Sequence, residues 1–224
     1  MTVDSDELIR FLLACGLTES QLADMSAIEQ LRADLVEANR KTNLTRITDA
    51  DEFWLLHLAD SLAVGTVAPE LMTQQLAVAD VGCGAGFPML PLAWANRVLA
   101  ITGIDSRRRK IEFVRRQIAS MGLTKCRAIT GRARELAREP QHAGAYDVVL
   151  LRAVGTPGKL LRECRALAAP GGKIIFYTTP SATDEQRALS LREAGKFGLD
   201  MAESPTIALP GQAGERQFVT FTLS

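Results

Sequence analysis

The spacing of hydrophobic residues changes once along the chain. From Asp4 to about Val64 apolar positions recur every three or four residues, as in Ile28, Leu31, Leu35 and Ala38, with polar residues between them. That spacing predicts amphipathic helices and no strand. Asp49, placed before Ala50-Asp51-Glu52, has the form of a helix N-cap with an acidic first turn, so a further helix is predicted with Phe53, Leu56 and Leu62 facing inward. From about Leu76 short apolar, β-branched runs alternate with helical patterns. This is the pattern of a parallel sheet covered on both faces. The predicted strands are Leu76 to Val81, Val98 to Ile104, Cys126 to Thr130, Asp147 to Leu151 and Lys173 to Thr178. Between the second and third, Ile111, Val114, Ile118 and Met121 form the buried stripe of a helix.

The tail breaks this rhythm. Met201 to Leu209 and Gln217 to Leu223 are strand-like runs joined by a loop from Pro210-Gly211 to Gly214, too short for a crossover helix, so a β-hairpin is predicted. The expected fold is therefore α/β and Rossmann-like, with a mostly parallel seven-stranded sheet ending in a β-hairpin. The expected organisation is a helical N-terminal extension over residues 1–65 and a sheet domain over 66–224.

Composition narrows the reading without redirecting it. The 224 residues include 47% hydrophobic and 23% charged positions, enough for one substantial core. Its 26 basic and 26 acidic residues cancel, so nucleic-acid binding would need a local basic patch. Cys15, Cys83, Cys126 and Cys164 lack the close spacing of a zinc site or redox motif and read as packed, reduced thiols. Those reduced thiols predict a cytoplasmic protein, and Asp4, Asp6 and Glu7 near the start, where a signal peptide would be basic, argue against such a peptide. The least polar span, Gly86 to Ile104, contains two prolines and Asn96-Arg97 and reads as helix, turn and strand.

The chemistry centres on Asp80-Val81-Gly82-Cys83-Gly84-Ala85-Gly86. Gly82, Gly84 and Gly86 permit a tight strand-to-helix turn and a close backbone approach to a ligand. A dinucleotide fingerprint would want its third glycine at Phe87, so a pyrophosphate cradle is disfavoured. Asp80 suits the cationic amino-acid end of S-adenosylmethionine and would repel a phosphate. Asp105, after the second strand, is placed to accept hydrogen bonds from both ribose hydroxyls. Loop, acid and strand order together predict a class I methyltransferase that binds S-adenosylmethionine.

Other polar residues cluster near the same sheet edge. Gly131-Arg132-Ala133-Arg134 follows the third strand, where the adenine ring would lie, and Arg152 follows the fourth. Arg107-Arg108-Arg109-Lys110, Arg115-Arg116, Arg132, Arg134 and Arg138 form either a phosphate-binding patch or a solvated helix face. His57 and His142 lack metal-ligand spacing, and His142 sits in a polar loop with no role assigned.

Taken together, Asn43-Leu44-Thr45, His57-x-x-Asp60-Ser61, the glycine loop through Pro88 with Pro91-Leu92, Asp105-Ser106 with Lys110 and Phe113, Arg152-Ala153 and Gly214-Glu215-Arg216 resemble the glucose-inhibited division protein B family. These are bacterial methyltransferases that modify guanine N7 in small-subunit ribosomal RNA. The resemblance implies cofactor contacts at Gly82, Phe87, Ala133, Arg134 and Arg152, with Asp105 as the ribose acid. The chain departs from the family pattern in three places: Ala133-Arg134 where a small residue precedes Glu, Pro88-Met89 where Pro-Gly is usual, and Thr178-Thr179-Pro180 where Lys-Gly is usual.

Guanine N7 is nucleophilic while neutral, so the implied transfer requires alignment without a general base. No catalytic residue is assigned, although Arg152 is a candidate for positioning. The expected partner is small-subunit ribosomal RNA or the assembling subunit, the chain acting as a monomer with no metal. Two readings remain beside this one: a methyltransferase of the same fold acting on a small molecule or protein, and a non-catalytic binding module.

Overall fold

The computed structural model describes residues 4–47, 49–153, 155, 157–180 and 184–223. Five strands run parallel: β1 (Ala77–Val81), β2 (Ala100–Asp105), β3 (Arg127–Thr130), β4 (Tyr146–Arg152) and β5 (Ala168–Thr178). The tail adds β6 (Leu199–Glu203), the two-residue β7 (Ile207–Ala208) and β8 (Glu215–Leu223). The sheet order is β3-β2-β1-β4-β5-β8-β6, with β7 paired to β8 off that path. Both β5 and β6 pair with β8 in antiparallel fashion. The expected Rossmann-like α/β fold with its terminal hairpin is the observed one.

The hairpin's first arm is broken where a continuous run was expected. Glu203 stands opposite Val219, but Ile207 stands opposite Arg216, which leaves one extra residue on the β6–β7 side. Pro205 lies in that gap, where its missing N–H costs no ladder bond.

The central strands are apolar throughout because both faces are covered, and their period of two sorts each run onto two cores. Val78, Val148, Leu150, Ile175 and Tyr177 pack on one face with Leu12, Ile28, Leu31, Leu35 and Leu62 from the N-terminal helices. Ala79, Val149, Leu151, Ile174 and Phe176 pack on the other with Leu161, Cys164 and Ala194. Three of the four thiols are buried, and burial pushes Cys15 and Cys164 up to about 12.

Asp49 caps its helix as predicted, accepting from the N–H groups of Asp51 and Glu52. The inward set differs by one position: Leu55 is buried, whereas Leu56 is only half-buried. The cause is a π-helical stretch over Phe53–Ala59, whose wider turn shifts the phase of the residues that follow. His142 is buried against Tyr146, its Nδ1 2.6 Å from the tyrosine hydroxyl, and serves packing.

The strand order reverses between β1 and β4, and open α/β sheets bind ligands at the carboxyl ends of strands beside such a reversal. The glycine loop leaves β1 at that point. For the scaffold, Phe176 is fully buried and meets Phe221 edge-on at 5.8 Å. Phe176→Ala is expected to lower unfolding stability by about 3–5 kcal/mol, read by urea denaturation.

Candidate active site

Backbone hydrogen bonds tie the glycine loop to the end of β2. The N–H groups of Gly82 and Cys83 donate to the Ile104 carbonyl at 2.7 and 3.1 Å, and the Gly84 N–H donates to Asp105 Oδ2 at 3.1 Å. Asp105 Oδ1 accepts from the Arg107 N–H at 2.7 Å, so one carboxylate joins the loop to the start of the Arg108–Ser120 helix. Each oxygen keeps a lone pair for a further donor. Gly86 has φ +97°, and a Cβ there would lie 2.3 Å from Leu90 Cδ1, so no other residue fits without displacing the helix that follows.

A cleft of about 630 Å³ opens over this loop, lined by Gly82, Asp105, Ser106, Ala133, Leu151 and Ala153 among others. It combines an acid with spare acceptors, a backbone left open by glycine and small apolar walls. Those are the requirements of a nucleoside whose ribose carries two hydroxyls, so the residues present fit S-adenosylmethionine.

The structure distributes the expected contacts over several layers. Gly82, Asp105 and Ala133 line the cleft directly. Gly84 and Gly86 shape the loop beneath it. Asp80, expected at the ligand's cationic end, is wholly buried behind the loop, where Oδ2 accepts from the Met89 N–H at 3.1 Å and Oδ1 has no hydrogen-bond partner among the described residues. Burial lifts its carboxyl to about 7, against the lowering effects of the Met89 hydrogen bond and the Arg152 charge. Arg134 is exposed and absent from the cleft wall, so beside its neighbour Ala133 it offers only backbone.

Arg152 is held by two acceptors. Its Nε donates to Asp60 Oδ2 at 2.7 Å and its Nη2 donates to the Leu56 carbonyl. The π-helix explains that second acceptor: the Asp60 N–H donates to the carbonyls of Leu55 and His57, bypassing Leu56. Arg216 Nε donates to Asp60 Oδ1 at 2.6 Å, so Asp60, 1% exposed, bridges two guanidinium groups. Arg152, a candidate for positioning, thus belongs to a mostly buried triad. Sequence reading assigned no role to Asp60 or Arg216, although both lie in the family segments.

The same segments explain Phe87. Its ring stacks on His57 at 4.1 Å between centroids and meets Phe53 edge-on at 5.9 Å. His57 Nε2 lies 3.2 Å from Thr45 Oγ1, and the Thr45 N–H donates to Asn39 Oδ1 at 2.9 Å. The Asn-Leu-Thr and His-x-x-Asp-Ser segments therefore buttress the loop from behind. Burial, with the Arg152 charge, lowers His57 from 6.5 to about 3, so the ring stays neutral at physiological pH.

The basic runs also separate. Arg108 pairs with Glu112, Arg115 donates to the Ala128 carbonyl and Arg116 lies over Phe113. Arg107, Lys110 and Arg132 line the cleft, joined by Arg46, which no sequence feature had singled out. Arg46, Arg107 and Lys110 continue into an adjoining hollow formed with residues 43–47. Among the described residues none of these four cations forms an ion pair.

The low value for His57 has a stability consequence. Between about 3 and 6.5 the unfolded chain binds a proton at His57 and the folded chain does not. Stability from the neutral ring is therefore fully present above 6.5 and declines as pH falls toward 3. His57→Gln removes that dependence, so the gap in Tm between wild type and variant is expected to shrink from pH 7 to pH 5 in thermal melts. A gap that stays constant would contradict the assignment.

Comparison with known proteins agrees with this geometry. The family model described as rRNA small subunit methyltransferase G matches residues 24–197. A ribosomal RNA small subunit methyltransferase G from Trichormus variabilis is 38% identical, over 80% of this chain and 74% of its own length. The protein of the same name from Deinococcus deserti is 35% identical, over 93% of this chain and 85% of its own. Among solved structures, a SAM-dependent methyltransferase from Aquifex aeolicus aligns with TM-score 0.56 at 15% identity, over 79% of this chain and 94% of that one. A SAM-dependent O-methyltransferase from Thermotoga maritima aligns with TM-score 0.55 at 16% identity, over 84% and 71%. These structural likenesses concern the fold, whereas the family match spans most of the sequence, its segments converging on one cleft: the chain belongs to the rRNA small subunit methyltransferase G family.

Proposed function

We propose that this protein transfers a methyl group from S-adenosylmethionine to N7 of a guanine in small-subunit ribosomal RNA. Beyond family membership, the observation that carries the RNA reading is the row of cations, Arg46, Arg107, Lys110 and Arg132, on the rim of the cleft, none of them in an ion pair among the described residues. A chain with no net charge thus concentrates positive potential where a phosphate backbone would pass the reacting group. A small-molecule methyltransferase has no need of that arrangement.

Gly82, Asp105 and Ala133 would hold the cofactor, with Gly84, Gly86 and Phe87 shaping its seat and Arg134 contributing backbone. Asp80 and Arg152 act from behind, one bracing the loop through Met89 and the other ending β4 at the cleft's far wall. When bound, the cofactor supplies a methyl carbon made electrophilic by its sulfonium. Because guanine N7 offers a lone pair without first losing a proton, the protein's task is alignment and field, and neutral His57 is not required as a base. The lysine missing after β5 has a positive neighbour in Arg187, which lines the cavity beside Thr178 and Thr179. A monomer in the cytoplasm is part of this reading, and among the described residues no helix is long and apolar enough to cross a membrane.

The test is transfer of labelled methyl from S-adenosylmethionine to naked small-subunit ribosomal RNA and to assembly intermediates, with the modified base mapped. Label at a guanine N7 is expected; label entering small metabolites and never RNA would reject the reading. Asp105→Asn should weaken cofactor binding about tenfold or more by calorimetry, since it exchanges a charged acceptor for a neutral amide. Lys110→Glu and Arg46→Glu should each weaken RNA binding by about tenfold at low salt and flatten its salt dependence.

A further inference from the structure

Beside the cofactor cleft lies a second cavity of about 470 Å³ at the carboxyl ends of β4 and β5 and the start of β8. Its walls include Arg152, Tyr177, Arg187, Glu203, Arg216 and Gln217. Ala153 lines this cavity and the cofactor cleft alike. It has a left-handed backbone, φ +56°, unusual for a residue with a Cβ. We propose that this second cavity seats the acceptor: a guanine nucleotide turned out of single-stranded RNA. The inference rests on the function proposed above and gives the acceptor a place and a set of contacts.

Three observations carry it. Direct transfer needs donor and acceptor side by side, and the two cavities adjoin at Ala153, which lines both. The volume suits a single nucleotide-sized ligand, within the usual range of roughly 300–1,000 Å³ for small-ligand sites. The wall chemistry suits a purine nucleotide better than an aliphatic or cationic substrate. Three arginines face two carboxylates, Asp60 and Glu203, which leaves an excess of positive charge for a phosphate.

The two inner arginines are also pre-oriented. Asp60 holds Arg152 and Arg216 with side chains only 14% and 17% exposed, so their planes are set before any ligand arrives. Each guanidinium carries five N–H donors, more than Asp60, Leu56 and Thr178 occupy. Those left over suit guanine O6 or a phosphate oxygen, while planar guanidinium faces stack on unpaired bases. N7 itself must stay free of donors, since its lone pair is the nucleophile. Across the mouth, Arg187 pairs with Glu203 at 2.9 Å with its side chain 59% exposed, placed to meet the strand as it enters.

Two variants test the seat. Met201, half-buried on β6, lines the cavity, and Met201→Trp fills it from the side away from the cofactor. Arg187→Glu reverses the charge at the mouth on an exposed helix position that tolerates substitution. The first readout is saturation-transfer NMR between the protein, with S-adenosylhomocysteine present, and millimolar guanosine 5′-monophosphate. The second is KM and kcat for ribosomal RNA. Wild type should show transfer to the guanine H8, and Met201→Trp should abolish it while cofactor affinity by calorimetry stays within twofold. Arg187→Glu should raise KM for RNA at least fivefold with kcat little changed. If Met201→Trp does not fold by circular dichroism, Arg187→Glu decides alone. Nucleotide contact and RNA kinetics unchanged in folded variants, or no contact in wild type, would overturn the proposal. Variant-sensitive nucleotide contact in an enzyme that never labels ribosomal RNA would retain the seat and reject the RNA reading.

Discussion

One buried carboxylate holds this site together. Asp60 sits on the helical segment before the sheet and receives Arg152 from the end of β4 and Arg216 from the start of β8. These strands are not neighbours, because β5 runs between them. A carboxylate taken out of water is expensive unless its charge is met, and here two guanidinium groups meet both oxygens while keeping partial contact with solvent. Removing either partner of such an arrangement generally costs more than the pair adds, so the three residues act as a unit.

Much of the local geometry follows from that clamp. Arg152 reaches Asp60 and the Leu56 carbonyl together where the π-helical turn directs the Asp60 N–H to the Leu55 and His57 carbonyls instead of that of Leu56. The same turn brings His57 beneath Phe87, so the glycine loop is supported by a stacked ring and, through Asp80, by a hydrogen bond to Met89. With Arg152 fixed, β4 ends in the left-handed Ala153, and the space at the sheet edge is divided into two cavities. A helical section that reads as an extension in sequence therefore supplies the back wall of the site.

Charge follows a similar logic. Arginines near the Asp60 carboxylate are paired and mostly buried, whereas among the described residues Arg46, Arg107, Lys110 and Arg132 have no ion pair at the rim. Paired cations position groups, and unpaired cations attract a polyanion over the range of the Debye length. The zero net charge of the chain conceals this separation completely.

The sequence alone determined the alternation of strands and helices, the terminal hairpin, the Asp49 cap, and the roles expected of the glycine loop and Asp105. These are local matters: period, turn chemistry and short spacings follow from neighbours within a few residues. Phase was lost at Leu55 and Leu56, because an extra residue in one helical turn is not encoded in apolar spacing. Strand continuity was lost at Pro205, since a proline marks a break without saying whether the ladder resumes. The Asp60 triad, the burial of Asp80, the outward position of Arg134 and the partition at Ala153 were decided by the tertiary structure. Each depends on residues about 60 to more than 150 positions apart meeting in space, or on which side of a turn a side chain falls, and only packing sets those outcomes.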